Sequence, residues 1–129
     1  MRKNKQKEKQ EKQWERLDSI IQRKFTSSNM NNTKWVKLLK HSSLFYPHIK
    51  TIEFKLVYSD ELKRTEIEEH PEHVEEIWFR EPLIYREIEW IEYPYKESKG
   101  IESLEESIRQ LGKFPIYHSS TGLRIIAYE

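Results

Sequence analysis

Cysteine is absent from the 129 residues. Its absence removes disulfide scaffolds, thiol nucleophiles and thiolate metal sites together. Glycine is scarce, with only Gly100, Gly112 and Gly122. Each falls at the edge of a helix or turn, so none is left to build a loop that cradles phosphate. Aspartate occurs only at 18 and 60, and there is no Gly-x-Ser-x-Gly elbow. Acyl or phosphoryl transfer needs a nucleophile, a base and an orienting group, or a metal. The sequence supplies no such set, and a non-enzymatic protein is expected. Long apolar runs are missing too: none approaches the roughly 18–20 residues of a membrane span. The charged, Gln-rich N-terminal segment lacks the apolar centre of a signal peptide. The expectation is a soluble, cytoplasmic protein with no cofactor and no membrane contact.

What is present is charge and aromatic mass. Charged residues make up 35% and hydrophobic ones 36%, with four Trp, seven Tyr and five Phe. A disordered chain would not hold so many aromatics, and the length suits one domain with one core. The net charge of +1 conceals a split. Residues 1–50 carry 13 Lys/Arg against 4 acids, and residues 51–129 carry 10 against 18, balances of +9 and −8. From Phe25 to Lys50 there is no acid at all. Such a separation steers charged partners, over distances that salt limits to about 10 Å. The plainer alternative is that the two halves neutralise each other within the monomer.

Residues 1–13 hold Lys, Gln and Glu with no apolar residue after Met1, which suits a solvated helix or a frayed arm. Trp14, Leu17, Ile21 and Phe25 then recur at three- and four-residue steps, with Ile20 beside them, and predict a helix with one apolar stripe. A second helix opens at Asn32 or Thr33 and carries Trp35, Val36, Leu38 and Leu39. From Lys50 the period changes to two. Ile52, Phe54, Leu56 and Tyr58 predict a strand, Leu62–Ile67 a weaker partner, Ile77–Phe79 a third strand and Tyr85–Tyr93 a fourth. Ile101, Leu104, Ile108 and Leu111 give a helix closed by Gly112, and residues 114–128 read as a terminal hairpin around Ser119–Gly122. The expected fold is α+β, in the order α-α-β-β-β-β-α-β-β. It has an antiparallel or mixed sheet with helices on one face. The expected division is an N-terminal charged arm and first helix over 1–29, followed by a single domain over 30–129.

One cluster has metal-ligand chemistry: Glu69, His70, Glu72, His73, Glu75 and Glu76. Two imidazoles three residues apart can chelate zinc. Pro71 between them disfavours a helix, however, and a third ligand would have to come from His41, His48 or His118, so a solvated acidic loop with no metal is expected. A pair of catalytic carboxylates is not singled out either, because 20 glutamates make chance pairs common. Glu87 and Glu89 read as an outward polar face beside Ile88 and Trp90.

The remaining signal is an acidic stretch with aromatics inside it. Ten glutamates lie between 66 and 92, interleaved with Trp78, Phe79, Tyr85, Trp90 and Tyr93. Carboxylates that supply field and aromatics that supply anchors suit a fast-associating binder of a basic protein. The expected partner-binding residues are Glu66, Glu68, Glu69, Glu72, Glu75 and Glu76, with Trp78 or Tyr85 as anchors at the rim. The competing view is that the aromatics are core, Trp78 and Trp90 above all, and that the acids are merely solvated. A second function is nucleic-acid association through Lys24, Lys34, Lys37, Lys40 and Lys50, since phosphate contacts need Lys/Arg placement of this kind. A third is self-association through the Trp14–Phe25 stripe.

The run Met30-Asn31-Asn32-Thr33-Lys34-Trp35, followed by a Leu-Leu helix and later by Ile88-Glu89-Trp90-Ile91-Glu92, resembles a small bacterial family without an assigned activity. Its members open with Asn-Thr-Lys-Trp and place an Ile-Glu-Trp strand before a helix and a terminal hairpin. The resemblance spans roughly residues 30–129 and implies no site. In general type, such small, acidic, Cys-free α+β domains also resemble the immunity proteins encoded beside bacterial toxins, an analogy of size and surface. It implies a cognate toxin domain of the nuclease type as the protein partner.

Overall fold

Three- and four-residue spacing early in the chain, and alternation from residue 50, produce helices first and then a sheet. The computed structural model describes residues 5–74, 77–78 and 83–129. Helix α1 spans Lys5–Lys24 and α2 Asn32–Ser43; strands β1 and β2 are Thr51–Leu56 and Lys63–Glu66. Two short strands follow, β3 (Ile77–Trp78) and β4 (Leu83–Ile84), then β5 (Ile88–Pro94), α3 (Ile101–Leu111), β6 (Ile116–His118) and β7 (Gly122–Ile126). The α+β fold and the approximate element order agree with the sequence. The expected fourth strand begins late: Tyr85–Glu87 form a 3-10 turn, β5 starts at Ile88, and the preceding Leu83 and Ile84 form a short strand that pairs with β3.

The main sheet is antiparallel, in the order β2-β1-β5-β7-β6. Its register sorts the two faces. One row runs Phe54, Ile91, Ile125, Ile116, and beside it Tyr93 and Leu123 lie opposite each other. These side chains join Leu38 and Leu39 of α2 and Leu104 and Ile108 of α3 in one core. The helices therefore cover this face. Tyr93 confirms the placement, since its hydroxyl shares a 2.6 Å hydrogen bond with Ser42 of α2. The other face carries the row Arg64, Glu53, Glu92, Arg124, Tyr117.

Asn31, one residue earlier than expected, caps α2: its side-chain oxygen accepts from the Lys34 N–H at 2.8 Å. Trp35, one turn on, is 2% exposed and stacks on Tyr85 with ring centroids 6.1 Å apart. The Asn-Asn-Thr-Lys-Trp run is thus a helix cap followed by a core anchor.

Helix α1 divides near its middle. Leu17 is buried, and Ile20, Ile21 and Phe25 pack on the core. After the helix, the N–H groups of Thr26 and Ser27 donate to the Glu129 carbonyl, and Phe25 lies 5.4 Å from the Tyr128 ring. The stripe from Leu17 to Phe25 is therefore used inside the chain. Trp14, half exposed at 50%, stands before Leu17, the first buried position among the described side chains.

Candidate functional site

Alternation ends at Leu56, and the chain turns through Ser59, Asp60 and Glu61 into β2, an edge strand. Ser59 fixes the turn by accepting from the Glu61 N–H at 3.1 Å. Asp60 and Glu61 are exposed at one end of β2; Glu66 and Glu69 are exposed at the other. Glu68 is half-buried, and Glu72 is exposed on a 3-10 turn, Pro71–His73, with His70 Nδ1 3.6 Å away. Val74, just after it, is buried and fixes this segment to the core. Tyr58 and Leu62, 49% and 55% exposed, flank the Ser59–Glu61 turn. The described acids thus bracket the open edge of the sheet, with two apolar side chains among them.

Of the residues expected to bind a partner, Glu66, Glu69 and Glu72 share this edge with Glu68. Glu75 and Glu76 lie outside the described residues, as does the side chain of Trp78, whose backbone is in β3. Tyr85 is a correction. It is 1% exposed: the first three residues of the expected strand form a 3-10 turn, and its ring stacks on Trp35. It is a core residue and no rim anchor.

The charge halves do not neutralise each other among the described residues. Acids of the second half pair with cations of the same half: Glu89 with Lys55 at 3.0 Å, Glu97 with Arg64, Glu105 with Arg109 at 2.9 Å and Glu92 with Arg124 at 2.8 Å. The ion pair between halves, Arg86 with Asp18, has the opposite polarity. Two of the lysines expected to contact phosphate are tied to backbone instead. Lys24 Nζ donates to the Val57 carbonyl at 3.0 Å and Lys34 Nζ to those of Asn29 and Lys113, and Lys50 stands over the Tyr46 ring.

Sequence reasoning missed the most enclosed carboxylate among the described residues. Glu92 is 1% exposed, although it lies on the sheet face turned away from the helices. Its Oε1 accepts from Ser119 Oγ at 2.6 Å and Arg124 Nε at 2.8 Å, and Oε2 accepts from Thr121 Oγ1 at 2.9 Å. The β6–β7 turn folds over it because residue 122 is glycine: a Cβ there would lie 2.5 Å from both Glu92 Cγ and the Tyr93 carbonyl oxygen. The Arg124 guanidinium then covers the half-buried Trp90 ring, 4.0 Å from its centroid. Burial alone would raise the Glu92 pKa, but the hydrogen bonds from Ser119, Arg124 and Thr121, with the Arg124 charge, hold it below the ordinary carboxylate range. Three donors from β7 and the turn before it converge on this one carboxylate, so the cluster fastens the turn to β5. The hydroxyl- and glycine-rich Ser-Ser-Thr-Gly turn opposite a strand glutamate was the available signal.

The histidines are dispersed. His41 Nε2 lies 2.6 Å from Ser107 Oγ and His118 Nε2 lies 2.5 Å from Glu105 Oε1, so both brace α3. Among the described residues, no three His, Asp or Glu side chains are grouped to hold a metal. Burial lowers the His41 pKa below its ordinary value. Its neutral form is the one the fold prefers, so its contribution is complete above the unfolded value of about 6.5 and is lost as pH falls below it. His41→Gln is therefore expected to flatten the fall in denaturation midpoint between pH 7 and pH 5; an unchanged slope would assign that fall elsewhere.

A cleft of about 630 Å³ opens between the α2 N-terminus and the C-terminal residues, lined by Met30, Asn31, Thr33, Trp35, Arg86 and Tyr128 among others. No helix among the described residues is long and apolar enough to cross a membrane. A family of unknown function, DUF6678, matches residues 17–128. No curated protein and no solved structure matches the chain.

Proposed function

We propose that this chain, which belongs to the DUF6678 family, acts by binding a basic protein rather than by catalysis. The observation that carries this reading is the set of acids around β2 that the lysines of the first half leave uncompensated. Asp60, Glu61, Glu66, Glu69 and Glu72 are exposed, and among the described residues none has a Lys or Arg partner except Asp60, 3.9 Å from Lys55. An edge strand adds unpaired backbone groups that a partner's strand can meet, and Tyr58 and Leu62 add apolar area beside the turn.

The most concrete form is an immunity protein of the bacterial cytoplasm. Its carboxylates would occupy the basic substrate cleft of a nuclease-type toxin, standing in for phosphates. Field of this kind mainly accelerates association and is weakened by salt. The test mixes the purified chain with the product of the adjacent gene. A complex at micromolar concentration is expected, and Glu66→Lys/Glu69→Lys/Glu72→Lys should weaken it by about tenfold or more, mostly through the association rate. No complex even in low salt would remove the toxin version. A complex indifferent to these three positions would move the surface elsewhere.

A further inference from the structure

The main chain of β2 has an open side, and the sheet's hydrogen bonds identify which groups stand on it. In an antiparallel ladder successive residues bond to alternate sides. The Ile67 N–H donates to the Lys50 carbonyl at 2.5 Å, and in the β1–β2 register this makes Thr65 with Ile52 and Lys63 with Phe54 the next bonded pairs. The N–H and C=O groups of Arg64 and Glu66 therefore point away from β1, and neither residue's main chain has a partner among the described residues. The opposite margin of the sheet is less open. There Ile126 donates to Pro115 and Ser119 to Gly122, which turns Ile116 and His118 of β6 outward, and the Ile116 N–H already donates to the Phe114 carbonyl at 2.9 Å. Edge strands are commonly protected by charged side chains, lysine above all. The exposed cation of β2, Arg64, is bound to Glu97, and the exposed charges beside it, Glu61, Glu66 and Glu69, have one sign.

We infer that the protein partner adds a strand of its own to β2, and that this strand is extended and basic. The inference rests on the acidic surface around β2 being the binding face, and it specifies how the partner engages that face. Main-chain bonds to Arg64 and Glu66 supply affinity, and alternate side chains supply specificity. Arg64 and Glu66 both project on the sheet face turned away from the helices, so a cation opposite Glu66 forms a cross-strand pair. Further cations of the same strand reach Glu61 and Glu69 beyond the two ends. A second copy of β2 fits poorly. Laid antiparallel about Thr65, it sets Arg64 opposite Glu66 but Glu61 opposite Glu69 at either end, and like charges placed opposite each other destabilise a pair. Nucleic acid and an anionic bilayer have the wrong sign.

The experiment titrates the full chain, in low salt, with an acetylated and amidated peptide of about seven alternating lysines and valines, which spans residues 62–68 at about 3.4 Å per residue. A control peptide has proline for each valine, which keeps the charge and removes the ladder donors. The alternating peptide should bind about tenfold or more tightly than the control, and it should slow hydrogen exchange at the Arg64 and Glu66 amides by a similar factor. Glu66→Pro removes an outward donor that β1 does not use, and should abolish the preference between the peptides. Glu66→Gln removes only charge and should keep it. No binding by the alternating peptide, equal affinity for the two, or protection at Ile116 and His118 in place of Arg64 and Glu66 would each overturn the inference. So would a chain already dimeric, with the Arg64 and Glu66 amides protected before peptide is added. The adjacent gene's product takes no part, so failure of the toxin complex and failure of strand addition are read separately.

Discussion

Replacing Glu92 by alanine is expected to destabilise the fold by about 3 kcal/mol. Removing one member of a buried ion pair costs about 3–5 kcal/mol when the survivor stays buried and charged. Here Arg124 keeps 28% of its side chain exposed and can turn toward water, which places the loss at the low end. The Ser119 and Thr121 hydroxyls are left without their acceptor and the β6–β7 turn loses its fastening. Glu92→Gln retains the shape but not the charge, and should lose about half as much. The same site sets an acid limb. Because the folded state holds this carboxyl below its ordinary value, its contribution is complete above the unfolded pKa of about 4.5. It is lost as pH falls through the lower folded value. Urea denaturation at pH 7 and pH 3 checks both parts. Wild type should lose midpoint over that interval more steeply than Glu92→Gln, and equal losses would mean that the cluster contributes no stabilising charge.

Trp35→Ala should be the most damaging single change in α2, costing about 3–5 kcal/mol. The indole is enclosed on all sides and stacks on Tyr85, so its loss leaves a cavity between α2 and the 3-10 turn that leads into β5. Against a total of roughly 5–15 kcal/mol for a domain, that removes much of the margin. Trp14→Ala is the matched control: half exposed and preceding the core-packed part of α1, it should change stability by less than about 0.5 kcal/mol. Denaturation midpoints at constant m-value would distinguish the two. Comparable losses would mean that the arm before Leu17 is packed.

Much of the fold follows from spacing that needs no long-range information. Ile101, Leu104, Ile108 and Leu111 define a helix by themselves, and Ile52, Phe54 and Leu56 define a strand with one buried side. The fourth strand was harder because Tyr85 has high strand propensity in isolation. The turn at Tyr85–Glu87 forms because Trp35, fifty residues away, offers the ring a stacking partner. Propensity is local, and burial against a distant partner overrides it.

The candidate site was legible in composition and illegible in arrangement. The glutamates at 66, 69 and 72 announce an acidic surface wherever the chain places them, since isolated carboxylates stay in water. Glu92 belongs to the same run by sequence and has the opposite fate, because strand register sets it between Ser119, Thr121 and Arg124. The lysines of the first half could have cancelled the acids, and their charge alone gives no reason that they do not.

The chain's periodicity determined which segments are helix and strand and which of their sides are apolar, because those properties depend on neighbours three or four, or two, residues away. Its composition determined the absence of thiols, and its order the separation of charge along the chain. Only tertiary structure decided that Tyr85 is core, that one glutamate is a buried fastening while others face solvent, and that, among the described residues, the paired acids of the second half take their cations from that same half. Each of these outcomes depends on which side chains from remote segments arrive within about 3–6 Å, and no local pattern carries that distance.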